Sequence, residues 1–424
     1  MTQLSASITA DSISAFVDRH FDAECGFLAE LVKVPSDNPP GDCAPHAQRA
    51  RQLLEGLGFE VEAYPVPADL VRANGMISAT NLVVRQRFGD GGGPTIALNA
   101  HGDVVPPGQG WTHDPYGAQI ADDGNGAAMF GRGVAVSKSD FATYTFALLA
   151  LRELAASGAK LNGGIELQLT YDEEAGGEIG PHWLLAQGLS KATLAVSAGF
   201  SYAVTTAHNG CLHLEVVVHG KQGHAAMPER GVDAIAAATK ILTAIYASRE
   251  ALKSRLSRTP GITHPTINVG LIEGGINTNV VPDRVSFRID RRIIPEESAA
   301  DAEAELRSLI QAAADQIPGI RLEIKRILLS LPLVKLPGAE RLTAALQKRG
   351  REFFGVDIGE HGVPIYTDAR HYTAVGIPAV LYGAGPRTLA EANGHSADEN
   401  VRLEDLRRAT KTVAAALADL LAPG

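Results

Sequence analysis

Apolar and polar positions along this chain change period several times, and each change marks an element. Residues 10–35 repeat apolar side chains at helical spacing (Ile13, Phe16, Val17, Phe21, Phe27, Leu28, Leu31, Val32). This predicts a helix stopped at Val34-Pro35 and followed by the turn Asn38-Pro39-Pro40-Gly41. A second helix is expected over 45–57, then a strand over 59–64. Residues 81–85 and 95–99 are short β-rich runs split by the Gly-rich turn 89–94. A long helix is expected over 138–156 and a strand over 165–170. Both later strands run into polar residues, His101 after the first and Asp172-Glu173-Glu174 after the second. Strands that alternate with helices and deliver polar groups at their C-terminal ends predict an α/β fold with a largely parallel sheet covered by helices.

Around residue 208 the texture changes. Strand patterns at 212–219, 266–272, 285–290 and 321–325 are interleaved with helical patterns at 232–256 and 297–315. The order β-α-β-β-α-β is that of a ferredoxin-like α+β unit. The expected division is therefore residues 1–207 and 326–424 as one domain, with 208–325 inserted. A chain of 424 residues is long enough for two cores.

The composition is that of an ordinary globular protein, 45% hydrophobic and 20% charged. A net charge of −10 argues against a nucleic-acid surface. No apolar run approaches the ~20 residues needed to cross a bilayer. The stretch Met1-Thr2-Gln3-Leu4-Ser5-Ala6 lacks a basic region followed by an apolar core, so no signal peptide is expected and the default address is cytoplasmic. Cys25, Cys43 and Cys211 are widely spaced and odd in number, which reads as thiols in a reducing compartment.

The chemistry is concentrated in three distant segments: His101-Gly-Asp103, Glu173-Glu174, and His395 within Gly-His-Ser-Ala-Asp-Glu. Two imidazoles and a carboxylate are donors that zinc, manganese or cobalt accept, and Glu173 beside Glu174 is placed to act as a general base. Gly131-Arg132-Gly133 is not a phosphate loop, since the Lys-Ser/Thr ending is missing.

Together with Gly131-Arg132-Gly133, Lys138, Gly223-His224-Ala-Ala-Met-Pro228, Gly274-Gly275, Asn279-Val-Val-Pro282, Asp290-Arg-Arg292 and Thr367-Asp-Ala-Arg370, these segments resemble the M20 metallopeptidase family. That family includes aminoacylases, acetylornithine deacetylases, succinyl-diaminopimelate desuccinylases and glutamate carboxypeptidases. The resemblance spans nearly the whole chain. It implies a catalytic domain of the metal-dependent exopeptidase type with a paired divalent metal centre, zinc first and manganese or cobalt as alternatives. The inserted domain would be a lid through which the protein forms a homodimer, and the substrate a small amide or peptide. His101 would bind one metal, with Asp103 holding its ring, and Glu174 and His395 would bind the other. Glu173 would be the general base and His224 the oxyanion stabiliser. Asn279 and Arg292, with Arg370, would contact substrate. The plain alternatives are an ordinary loop histidine at 224, a solvated strand end at Arg292, and a structural pair of Arg370 with Asp368.

Two positions depart from the pattern. Where the resemblance implies a bridging aspartate the chain has Val136, and where it implies a second terminal acid it has Ala198. Asp140 is one helical turn, about 5.4 Å, beyond Val136. It is either a substitute ligand or a carboxylate that meets the helix N-terminus. The number of ions, one or two, stays open. So do three accounts: Val136 as the mark of a natural subfamily with a one-metal or weakly bound centre, Ala198 as an engineered acid-to-alanine change, and the chain as a non-catalytic relative that binds small molecules.

Overall fold

The computed structural model describes residues 2–122, 124, 126–388 and 390–423, with side chains from residue 10 onward. Met1, the first residue of the expected leaderless N-terminus, lies outside them. The described residues divide into two compact units, one of 1–206, 335–361 and 367–424, the other of 207–334 and 362–366.

The larger unit is built on an eight-stranded sheet. In spatial order its strands are Glu62–Pro65, Thr80–Phe88, Gly163–Thr170, Thr95–His101, Leu194–Ser197, Ala379–Leu381, Ala203–His208 and Gly359–Val363. The four strands from Gly163–Thr170 to Ala379–Leu381 run parallel. Antiparallel pairs flank them on both sides. Every residue of Gly163–Thr170 is buried, as a strand covered on both faces must be. Register sets His101 opposite Thr170 and Asn99 opposite Ser197, so the residues that follow all three strands leave the sheet at the same end. Helices Thr2–Val32, Lys138–Ala156 and Leu403–Leu421 pack on one another and bury their apolar faces in one core with the sheet. A small three-stranded sheet (Gln119–Asp122, Ala127–Phe130, Asn400–Arg402), not anticipated from the sequence, ties the C-terminal segment to residues 119–130.

The smaller unit has a four-stranded antiparallel sheet in the order Thr266–Gly274, Arg284–Ile293, Gly210–His219, Arg321–Ser330, with helices Ala234–Leu252 and Ala299–Ala314. That is the ferredoxin-like arrangement. Leu212, Leu214, Val216 and Val218 alternate along their strand and join a core with Ala237, Ile241, Leu306 and Ile310 of the helices. The last strand runs to Ser330, beyond the 325 at which the sequence pattern placed the end of the insertion. No helix among the described residues is long and apolar enough to cross a membrane.

Candidate metal centre

Asp103 organises this centre. It is fully buried, and one carboxylate serves three segments of chain. Its Oδ2 accepts from Asn38 Nδ2 at 3.0 Å and from the Glu174 backbone N–H at 3.2 Å, while Oδ1 accepts from the Glu173 N–H at 3.3 Å. His101, the last residue of its strand, directs Nδ1 at the Asp103 carbonyl oxygen, 2.9 Å away, and lies 3.5 Å from Oδ1. With Nδ1 so engaged, Nε2 is the nitrogen left to bind, and it lies 3.9 Å from Glu173 Oε2. Asp103 thus fixes a ring and a turn together.

Glu173 and Glu174 occupy a single 3₁₀ turn, Glu173–Ala175, directly after the buried strand. The turn is entered through Asp172, a non-glycine residue at φ 129°, a strained conformation of the kind found at functional sites. Donor atoms of His101, Glu173 and Glu174 all lie within 4.8 Å of one another. His395 Nε2 lies 3.2 Å from Glu174 Oε1, which makes Glu174 the member shared between the two histidines. The His395 segment is clamped nearby. Asp398 accepts from the N–H groups of Thr112 and His113 at 2.9 and 3.1 Å, and Glu399 pairs with Arg132. Asn38 and the Arg132–Glu399 pair were not singled out as site residues by the sequence. Asn38 lies in a Pro-rich turn, and nothing in the sequence pairs Arg132 with Glu399.

The electrostatics are those of a cation site. Burial pushes Glu173 well up, and the charges of Glu174, Asp368 and Asp103 add to it against the opposing charge of His101. Burial drives Asp368 up to about 6, and both its oxygens lack hydrogen-bond partners among the described residues. Burial disfavours a charged His101, but the hydrogen bond to Asp103 and the charges of Glu173 and Glu174 outweigh it and hold the imidazole well above its usual range. Crowded carboxylates with one proton-holding imidazole among them fit a divalent cation, whose binding would release that proton.

Positions 136 and 198 add no donors. Ala198 directs its N–H to the Asn99 carbonyl, 2.9 Å away, and its side chain packs on the core. Asp140 does not replace Val136. The helix begins at Lys138, and Asp140 Oδ1 accepts from the N–H groups of Ala384 (2.8 Å) and Gly199 (3.4 Å). Burial drives this carboxyl up to about 7. It braces two loops that follow parallel strands and is absent from the His101 group.

The expected substrate residues fall in different places. Arg370, read as a substrate contact, is buried, and its guanidinium donates to the carbonyls of Thr367 (3.0 Å) and Gly176. Those bonds tie it to the turn that carries Glu173 and Glu174. In the smaller unit His224 pairs with Val280, and Ala225 N–H donates to the Asn279 carbonyl at 3.0 Å. His224 Nδ1 accepts from Ala226 N–H at 3.1 Å, which engages that nitrogen of the ring. Both His224 and Asn279 are exposed. Arg292 makes a two-point contact with Asp290, 2.9 and 3.1 Å, and lies over the Tyr366 ring.

Residues 97–419 match the model of Peptidase family M20/M25/M40. The chain belongs to this family. An acetylornithine deacetylase of Myxococcus xanthus is 27% identical over 92% of the chain and 96% of its own length. A succinyl-diaminopimelate desuccinylase of Gluconacetobacter diazotrophicus is 26% identical over 92% and 95%. Among solved structures, the dipeptidase Dug1p of Saccharomyces cerevisiae superposes with a TM-score of 0.74 at 15% identity, covering 97% of this chain and 98% of its own. A dinuclear metal-binding M20 peptidase of Bacillus subtilis gives 0.65 at 18%, covering 96% and 99%. These two likenesses show the M20 fold.

Proposed function

We propose that this M20 chain is a metal-dependent amidohydrolase that cleaves the amide bond of an N-acyl amino acid, a dipeptide or a related amide bearing a carboxylate. One observation carries the reading. Asp103 positions the His101 ring and the Glu173–Glu174 turn together, and Glu174 reaches His395. Following the resemblance, His101 would hold one ion and Glu174 with His395 the other. Bound there, a divalent cation supplies Lewis acidity and lowers the pKa of water. Glu173 takes the proton of the attacking water and returns it to the leaving nitrogen, a task suited to a carboxyl whose affinity for protons burial has raised. On the resemblance alone, His224 and Asn279 are assigned to the substrate's carbonyl oxygen and Arg292 to its carboxylate. The three cysteines are buried thiols, in keeping with a cytoplasmic address. The exposed Leu271, Ile272 and Ile276, on and just beyond an edge strand of the smaller sheet, favour a homodimer.

A second reading, a non-catalytic binding protein, is favoured by the hydrocarbon at Val136 and Ala198. The test is hydrolysis of a panel of N-acyl amino acids and dipeptides by the zinc- or manganese-loaded chain and by Glu173→Gln. Turnover that is lost in Glu173→Gln, with metal content unchanged, supports the amidohydrolase. Ligand-induced thermal stabilisation without turnover in either protein would favour the binder.

A further inference from the structure

A second convergence of donors lies in the smaller unit. Cys211 and His213 are two residues apart on Gly210–His219 and so share a face. Their cross-strand partners on Arg284–Ile293 are Arg292 and Asp290 respectively. Leu212, Leu214 and Ile289 point the other way, into the core beneath the helices, so this group lies on the face that the helices leave uncovered. His213 Nε2 is 3.2 Å from Cys211 Sγ and 3.2 Å from Asp290 Oδ2, and Sγ is 3.8 Å from Asp290 Oδ1.

Both contacts of His213 use the same ring nitrogen. A Cys-His-Asp relay needs opposite nitrogens, one for the nucleophile and one for the acid, so this is not a nucleophile triad. That one nitrogen faces both partners, while Arg292 donates to both oxygens of Asp290. If Nε2 is protonated, one N–H is divided between sulfur and carboxylate. If it is not, its lone pair faces the carboxylate. Three donor atoms this close together suit a cation placed between them. Zinc bond lengths of about 2.0–2.3 Å in a tetrahedron put ligand atoms roughly 3.3–3.6 Å apart; here the three donor atoms lie within 4.8 Å of one another, with His213 Nε2 3.2 Å from both Cys211 Sγ and Asp290 Oδ2.

We infer that Cys211, His213 and Asp290 form a second metal site, for a borderline divalent cation of the zinc class, with the fourth position open. Thiolate, imidazole and carboxylate together select zinc or cobalt over magnesium or calcium. Arg292, paired with both oxygens of Asp290, orients that carboxylate from outside the ligand shell. His213 and Asp290 side chains are 35% and 29% exposed, which gives the ion an entry side, while Cys211 is buried.

Cobalt(II) titration of the full chain tests this, because a thiolate ligand gives a near-ultraviolet sulfur-to-cobalt charge-transfer band. The His101, Glu174 and His395 group contains no sulfur and cannot produce it. The expected result is a saturable band in the unaltered chain, retained in Cys25→Ala, Cys43→Ala and His395→Ala but lost in both Cys211→Ser and His213→Asn, with folding verified by circular dichroism. Should Cys211→Ser fail to fold, the partly exposed His213→Asn carries the comparison. No band in the unaltered chain at saturating cobalt, or one that survives His213→Asn, overturns the site.

Discussion

Arg132 Nη1 lies 2.6 Å from Glu399 Oε2, and both side chains are 1% exposed. The other Glu399 oxygen accepts from the N–H groups of Gly133 and Ala135 at 3.1 and 3.0 Å, and Arg132 reaches the Pro107 carbonyl. One buried ion pair thus fastens the loop after Phe130 to the segment that carries His395. Truncating one member strands the other charge in the interior. Arg132→Ala is therefore expected to cost roughly 3–5 kcal/mol of stability, more than an exposed pair would. It should also weaken metal binding through His395. Urea unfolding and a metal-affinity titration check both effects, and a loss below about 1 kcal/mol would show that the pair is not needed.

Position 198 offers the sharpest test of the ligand count. Val136→Asp with Ala198→Asp would supply the two acids that the family resemblance implies. Metal content after zinc loading is expected to rise by one ion per chain in the double variant, measured by elemental analysis with the second site disabled by Cys211→Ser. Val136→Asn with Ala198→Asn, matched in size but uncharged, should show no gain. Equal metal in the unaltered chain and the acidic variant would mean that these positions do not bear on the centre.

The edge of the smaller sheet bears on self-association. Thr266–Gly274 has a partner on one side only, and its Leu271 and Ile272 are 61% and 58% exposed. Edge strands that stay unpaired are usually blunted by charge, and lysine is the commonest device. Leu271→Lys with Ile272→Lys is expected to convert a dimer to a monomer in sedimentation equilibrium. A monomeric unaltered chain at tens of micromolar would remove the dimer reading.

Much of this fold was legible because buried strands and amphipathic helices impose their periods on the sequence. The helix Lys138–Ala156 lies where its pattern placed it, and the C-terminal strand ends announced themselves through His101 and Glu173-Glu174. What escaped has physical causes. The strand Arg321–Ser330 shifts register between Arg326 and Leu328, which breaks its alternation where the sequence pattern ended it. Strands of three or four residues, such as Asn400–Arg402, are too short to show a period. The bonds of Arg370 to the Thr367 and Gly176 carbonyls escaped because backbone acceptors carry no side-chain signature. Asp140 was left open because spacing alone does not reveal that Ala384 and Gly199 occupy its carboxylate.

Glu24 carries a stability consequence far from the metal centre. Its side chain is fully buried where three helices meet, accepting from Thr410 Oγ1, which in turn lies 3.3 Å from Thr143 Oγ1. Burial drives the carboxyl up to about 8, with the Thr410 hydrogen bond and the Arg407 charge opposing. The folded-state value lies above the unfolded value of 4.5. Between the two, the folded chain keeps a proton that the unfolded chain has released, so stability falls as pH rises through this window. Below it both states are protonated and there is no penalty. Glu24→Gln keeps the shape and the acceptor for Thr410 but does not titrate. The variant should match the unaltered chain near pH 4.5 and exceed it progressively, by roughly 2–4 kcal/mol at pH 8. Denaturant unfolding across that range reads the difference. A gap that stays constant with pH would mean that Glu24 does not hold its proton in the folded state.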